Sequence, residues 1–482
     1  MDDLPDTLDE TYARTLEDIG AQNWECAHRL FQCVAVASRP LRVKELAEFL
    51  AFDFEEGSIP TFLAEWRPDD PAHAVFSTCS SLLAVVDVDG SPVIQFAHFS
   101  VKEYLASGRL AEAKNTISRF HVSMTAAHSI VAQACLGVLL HLDENITKDR
   151  LEDFPLAEYA AEHWADHARV GDVSSKVQDG MKLFFDPDKS HLSVWDWIYD
   201  AERYQLRSER SESPAKARAT PLHYAAFFGV HDIGIFLINE RSQDVNARGF
   251  ESEETPLHIA LQEGFVEFAR ILLKHGADME IRTAGDWSPL ERAITEEHVE
   301  RTQVLLEHGV NVNAQDMRGR TPLYLASIWG MSSVAQVLLI HGADVTARRD
   351  DNETPLHQAQ IKEVAQILLE HGADANALDT KNRTPLHLAS QDGRGHVVRV
   401  LLEHGADANA RDAHNATPTH LASDSGDQEE ELLDIVRLLL QYGSDIHALD
   451  NEGHTLFMKA TEKGNQQIMQ LLLDNGAEDH RK

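Results

Sequence analysis

From Thr220 to the C-terminus a single pattern of apolar and polar positions returns eight times, starting at Thr220, Thr255, Ser288, Thr321, Thr354, Thr384, Thr417 and Thr455. The steps are 35, 33, 33, 33, 30, 33 and 38 residues. In the most regular copy, Thr384-Pro385-Leu386-His387-Leu388-Ala389, Thr384 caps a helix whose first-turn Pro385 lacks only a hydrogen that would be orphaned anyway. Leu386 and Ala389 share its inner face, and Leu401-Leu402-Glu403-His404-Gly405 closes a second helix that begins near Val397. Such a block cannot bury its own core and must stack on its neighbours.

Upstream the pattern changes. Helical spacing predicts helices over 7–19 and 22–37, a third short one over 43–50, and another through Val75, Cys79 and Leu82. Val85 to Val88 and Val93 to Ala97 flank Asp89-Gly90, the signal of a two-residue hairpin, and Ser100 caps a further helix. Three helices and a hairpin follow the order of a winged helix. Residues 110–205 read as helical, with His121, Thr125, His128, Val131 and Cys135 on one face. Leu156, Tyr159, Ala160, His163 and Trp164 form another, and Trp195, Trp197 and Tyr199 are suited to plugging the open end of a stack. The expected fold is mainly α: a winged-helix domain (1–110), a helical capping region (111–206), a linker (207–219) and an α-solenoid of eight repeats (220–482).

The TPLHxA and HGAD units at a 33-residue period resemble ankyrin repeats, a likeness that covers about 215–482. It implies paired helices with β-turn fingers and a concave binding face. Arg39-Pro40-Leu41-Arg42-Val43, then Phe96-Ala97-His98-Phe99-Ser100-Val101-Lys102-Glu103-Tyr104-Leu105, is similar to the winged-helix segment of fungal NACHT proteins. Leu4 to Tyr12 resemble the junction that follows the NTPase of those proteins. Pro155 to Ala160 and His163 to Ala168 resemble a helix beyond their winged helix. The resemblance implies the sensing portion of an NLR-like STAND receptor. No GxxxxGK followed by Ser or Thr occurs, so the NTPase is expected on a missing or separate chain if the protein is half of a nucleotide-driven switch.

Charge narrows the partners. A formal net charge of −36 argues against nucleic acid and anionic membranes. The third helix would present Arg42 and Lys44 beside Glu45 and Glu48, with no net positive face. Four scattered cysteines without a CxxC pair fit a reducing compartment. The start is acidic and lacks a signal core, and the longest apolar run, Ile130 to Leu142, is too short to span a bilayer. A cytoplasmic monomer is expected, and the stop after Gly476-Ala477-Glu478 is taken as a natural end.

Among 26 histidines, five hold the fourth motif position (His223, His258, His357, His387, His420) and five precede the closing glycine (His275, His308, His341, His371, His404). Both sets belong to the repeat. His163 and His167 have a metal-compatible spacing but no HExxH glutamate, and GxSxG is absent, so no enzyme, metal or cofactor is expected.

Candidate binding residues are those that drift from the motif. Phe227 and Phe228, then Ile328 and Trp329, precede the inter-helix glycine, where side chains face the groove, and Trp287 sits on a finger. The same positions later hold Gln391 and Asp392, and with Asp424, Glu429, Glu430 and Glu431 they form an acidic rim that favours a basic protein ligand. Packing of Phe227 and Phe228 on the preceding helices is the competing reading. The fifth copy loses three residues and should pinch the stack, and the seventh gains an acidic inter-helix loop over 424–431.

Overall fold

A computed structural model describes residues 6–54, 59–79, 81–88, 90–113, 116–203, 213–215, 217–295, 298–422 and 429–477. The protein is mainly helical. Its contacts divide it into two compact units, Met1–Glu251 and Ser252–Lys482, so the first repeat is built into the N-terminal unit.

The N-terminal unit opens with α1 (Asp6–Glu17), α2 (Trp24–Val36), β1 (Leu41–Arg42) and α3 (Val43–Glu48). The short pair β2 (Phe52–Asp53) and β3 (Thr61–Phe62), α4 (Pro71–Cys79), the hairpin β4 (Leu83–Val88) and β5 (Ser91–Phe96), and α5 (Phe99–Leu105) follow. β5 lies between β1 and β4, all antiparallel, and pairs Ile94 with both Leu41 and Val85. Val88 pairs with Ser91, which leaves a two-residue turn whose Gly90 holds φ +79°. The helix that leads into the hairpin is α4, where the spacing of Val75, Cys79 and Leu82 predicts one. Its sequence, Pro-Ala-His-Ala-Val-Phe-Ser-Thr-Cys, carries no lysine or arginine.

Next come α6 (Gly108–Ala111), α7 (Met124–His141), α8 (Lys148–Leu151), α9 (Leu156–Ala168), α10 (Val173–Lys176), α11 (Gln178–Phe184) and α12 (His191–Arg203). α7 is longer than the apolar run suggested, and among the described residues it alone has the length and mean hydropathy (1.3) of a membrane span. It is apolar on every side because it is the central helix of this region: Ala127, Val131, Ala134, Cys135 and Val138 are fully buried. α3 packs on α9. The Glu48 carboxylate accepts the Leu156 N–H at 2.6 Å, and Arg42 pairs with Glu158 at 3.4 Å.

The repeats are helix pairs: α13 (Pro221–Phe228) with α14 (His231–Glu240), α15 (Pro256–Gln262) with α16 (Val266–Lys274), α17 (Pro289–Ile294) with α18 (Val299–Glu307), and α19 (Pro322–Ile328) with α20 (Ser332–Ile340). In the fifth repeat, a 3-10 turn (Pro355–Gln358) precedes α21 (Lys362–Glu370). α22 (Pro385–Gln391) with α23 (Gly395–Glu403), α24 (Pro418–Ala422) with α25 (Glu429–Gln441), and α26 (Leu456–Lys463) with α27 (Gln466–Asp474) complete the series.

Histidine at the motif position works twice. The Nδ1 of His387 accepts the capping N–H of Thr384 at 3.1 Å, so the proton sits on Nε2, which donates to the Ala416 carbonyl of the next finger at 3.2 Å. His258, His357 and His420 bridge to the carbonyls of Trp287, Arg383 and His454 in the same way. The second set, from His275 to His404, donates Nδ1–H to the carbonyl four residues back at 2.8–2.9 Å, closing each second helix.

The three-residue loss at the fifth repeat reduces its first helix to a single turn. Arg394 repairs the end: its buried guanidinium donates to the His357 carbonyl at 3.3 Å and to that of Ala359 at 2.7 Å. In the seventh repeat Glu429, Glu430 and Glu431 open α25 instead of lying in a loop, since three carboxylates suit the positive end of a helix. Asp424 lies outside the described residues.

Two outcomes follow. Arg394→Met leaves two buried carbonyls without donors and should cost about 2 kcal/mol or more, with faster amide exchange over 355–361. Stability should also fall with acid. Burial outweighs the hydrogen bonds that favour the cation, so His357, His387 and His420 titrate below their ordinary range. Burial, with His128 and His163 nearby, takes His167 down to about 3. A depressed histidine contributes fully above its unfolded pKa of about 6.5 and loses up to about 1.4 kcal/mol per pH unit below it. Calorimetry should show Tm dropping from pH 7 to pH 5; a flat profile would contradict the neutral bridges.

Candidate functional site

Each repeat offers two positions to the face formed by the fingers and the ends of the first helices. One immediately precedes the capping Thr or Ser; the other precedes the inter-helix glycine. In the third and fourth repeats these are Trp287 and Trp329, whose rings stack at 6.0 Å between centroids and 19° between planes. Trp329 stays 37% exposed, while Trp287 and Ile328 are half-buried.

The finger is built around Trp287. Thr283 Oγ1 accepts its N–H at 3.2 Å, and the Trp287 carbonyl accepts the Thr283 N–H at 3.0 Å. Asp286 takes the left-handed φ of +63° that Asp tolerates better than branched residues. A Cβ on Gly285 would meet Trp287 Cδ1 at 3.2 Å, so glycine lets the indole lie close to the backbone.

These two repeats hold no histidine at the motif position, and neither does the eighth, which has Met458. Glu291 stands at the motif position of the third, where its carboxylate accepts the Ser288 N–H at 3.0 Å and holds Arg282 through two bonds of 2.9 and 3.0 Å. Arg282 in turn clamps the finger, donating to the Asp286 carbonyl at 2.6 Å and to Gln315 of the next finger at 3.3 Å. In the fourth, Tyr324 donates its phenol proton to Glu353 at 2.8 Å. Sequence reading named both tryptophans as candidates but missed this wiring, although Glu291 and Tyr324 in place of histidine were its visible signal.

Phe228 must be reassigned. It is buried, with its ring 4.7 Å from Trp164 and 4.9 Å from Trp195, and its carbonyl accepts from Arg169 at 2.9 Å. Phe227 is half-buried and lies 5.9 Å from Tyr199 and 6.2 Å from Trp195. Both seal the first repeat against α9 and α12, because apolar area next to an aromatic wall is worth more covered than wetted. Gln391 is half-buried, Asp392 is exposed and bonded to Arg394 at 2.9 Å, and Glu431 is exposed.

Other sites are weaker. A cleft of about 680 Å³ beside α3 mixes Arg42, Lys44 and Lys148 with Glu45, Glu152 and Glu158. Another of about 490 Å³ lies beside the shortened repeat, over Ile361, Gly393 and Ile435. His167 has both ring nitrogens engaged, by His128 at 2.9 Å and Tyr159 at 2.8 Å, which argues against the His163–His167 metal clamp. Asp450, Glu452 and His454 cluster in the last finger, but Asp450 is occupied by Lys459 at 3.0 Å and by the N–H groups of Glu452 and His454.

Family models match both parts of the chain. Residues 199–283, 282–349, 347–412 and 411–482 match the family model described as ankyrin repeats, and 15–117 match the GPI inositol-deacylase winged helix domain. The azaphilone pigments biosynthesis cluster protein L of Monascus ruber is 28% identical over 294 residues, 57% of this chain. The chain spans about 60% of the length of that curated relative. The solved ankyrin repeat domain of Bcl-3, a member of the IkappaB family, is 30% identical over 46% of this chain and all of its own, with a TM-score of 0.41.

Truncation should separate the two kinds of aromatic residue. Phe228→Ala should cost about 3–4 kcal/mol by emptying a packed cluster, whereas Trp329→Ala should cost under about 1 kcal/mol. Chemical denaturation checks both, and equal losses would contradict the assignment.

Proposed function

The chain belongs to the ankyrin-repeat family, and on that premise we propose that it is a non-catalytic recognition scaffold whose Trp287–Trp329 face captures a protein partner. Ankyrin repeats commonly bind proteins, and the carrying observation is local. The stacked indoles occur where the array gives up its repeating bridge and builds a separate clamp, through Glu291 and Arg282, to hold a finger. Exposed tryptophan on a rigid support is the residue type that anchors interfaces.

The wider reading is that this is the sensing part of a fungal NLR-like receptor, monomeric and cytoplasmic. The winged-helix match at 15–117, the ankyrin match and a relative in Monascus ruber support it. In this reading 1–110 and 111–206 serve as support and cap, 207–219 as linker and 220–482 as sensor. The second reading, a regulatory half of a nucleotide switch, rests on the same winged helix.

Affinity capture from native extract should retrieve a discrete partner with the wild-type chain and lose it with Trp287→Ala/Trp329→Ala at unchanged Tm; retention would refute the face. Calorimetry with ATP and Mg²⁺ should show no binding by this chain, and measurable heat would favour the switch.

A further inference from the structure

We propose that the tryptophan pair seats a cationic side chain, arginine or lysine, from an extended segment of the partner protein, which makes this array a reader of spaced basic residues. The inference rests on the recognition reading above and adds the chemistry of the ligand.

The first support is the ring geometry. A cation within about 6 Å of an indole face is attracted by the ring quadrupole, most strongly for tryptophan. Trp287 and Trp329 stack nearly parallel, and Trp329 keeps 37% of its surface open. A guanidinium can lie flat on such a surface, and the methylene stem of arginine or lysine covers apolar area beside Ile328.

Charge provides the second support. From Ser252 to Lys482 the chain holds 38 acidic and 20 basic side chains, so the unit that carries the pair attracts cations from a distance. The position that Trp329 occupies before its inter-helix glycine is Glu263 two repeats earlier and Asp392 two repeats later. The indole therefore sits in a row with carboxylates on either side, of which the exposed Asp392 also holds Arg394 at 2.9 Å. Arg348 and Arg411, on later fingers, are committed to the backbone: Arg348 donates to the carbonyls of Asn352 and Leu378 at 3.0 and 2.8 Å, and Arg411 to that of Leu449 at 3.0 Å. They brace fingers and are poorly placed to recruit an acidic ligand.

Spacing sharpens the ligand. Packed helices lie about 10 Å apart, which puts each flanking carboxylate about 20 Å from Trp329 along the row. An extended chain rises about 3.3 Å per residue, so basic residues about six apart would place one cation on the indoles and others near Glu263 and Asp392.

The test uses the full chain and fluorescein-labelled Gly/Ser peptides read by anisotropy. One carries arginines about six residues apart; a second carries glutamates at the same positions. The arginine peptide should bind, with affinity lowered about tenfold by Trp329→Ala and equally by Trp329→Leu, which keeps apolar bulk but removes the π face. Glu263→Gln with Asp392→Asn should also weaken it, and the glutamate peptide should not bind. Wild-type affinity in Trp329→Leu, or equal binding of both peptides, would overturn the proposal. If the tryptophan variants still lose the extract partner while the arginine peptide ignores them, the recognition face stands and its cationic ligand falls. If neither readout moves, both fall.

Discussion

The hydrogen bond from a motif histidine to the next finger is the constraint on which the array depends. Its two ends need one tautomer: Nδ1 bare to accept the capping N–H, and Nε2 protonated to reach the following carbonyl, as in His387 between Thr384 and Ala416. The bond therefore couples the start of one helix to the position of the neighbouring finger, and repeat spacing follows from side-chain length. His258, His357, His387 and His420 set it in four repeats. A solenoid stabilised by nearest-neighbour contacts inherits its regularity from such a link.

Other devices hold the places where the stack is interrupted. In the N-terminal unit, the outer side of the first repeat is closed by Trp164, Phe185 and Trp195 around Phe228. An aromatic cluster of this size replaces the neighbour that a terminal repeat lacks, which is why Met1–Glu251 is one compact unit that includes that repeat. At the fifth repeat, a side chain from the next one, Arg394, stands in for the lost helical turn. Ion pairs with poor geometry would not suffice there, because buried carbonyls need aimed donors.

The repeat itself was almost wholly legible in the sequence. Thr, Pro and the closing glycine report local conformation, and the periodic leucines report burial, so helix starts and stops could be placed within a few residues. For Phe227 and Phe228 the sequence left two readings open, since the pattern that marks a groove position is the same whether the groove is open or covered by another element. The winged-helix order could be read, but the pairing of β1 with β5 could not, because a two-residue strand leaves too little pattern to count. Glu429 to Glu431 looked like loop because acidic runs suit both solvent and helix N-termini. Arg394 was invisible because its role depends on carbonyls freed 35 and 37 residues earlier.

The tryptophan block gains something by giving up histidine. In the bridged repeats, acid adds a proton to Nδ1 and removes the acceptor of the capping N–H, while Nε2 keeps its proton and its bond to the next finger. In the third and fourth repeats the same positions hold Glu291, locked to Arg282, and Tyr324, whose phenol is pushed upward by burial and by Glu353 and keeps its proton for donation. Neither link uses an imidazole. The face that carries Trp287 and Trp329 is thus held by chemistry different from that of the bridged repeats.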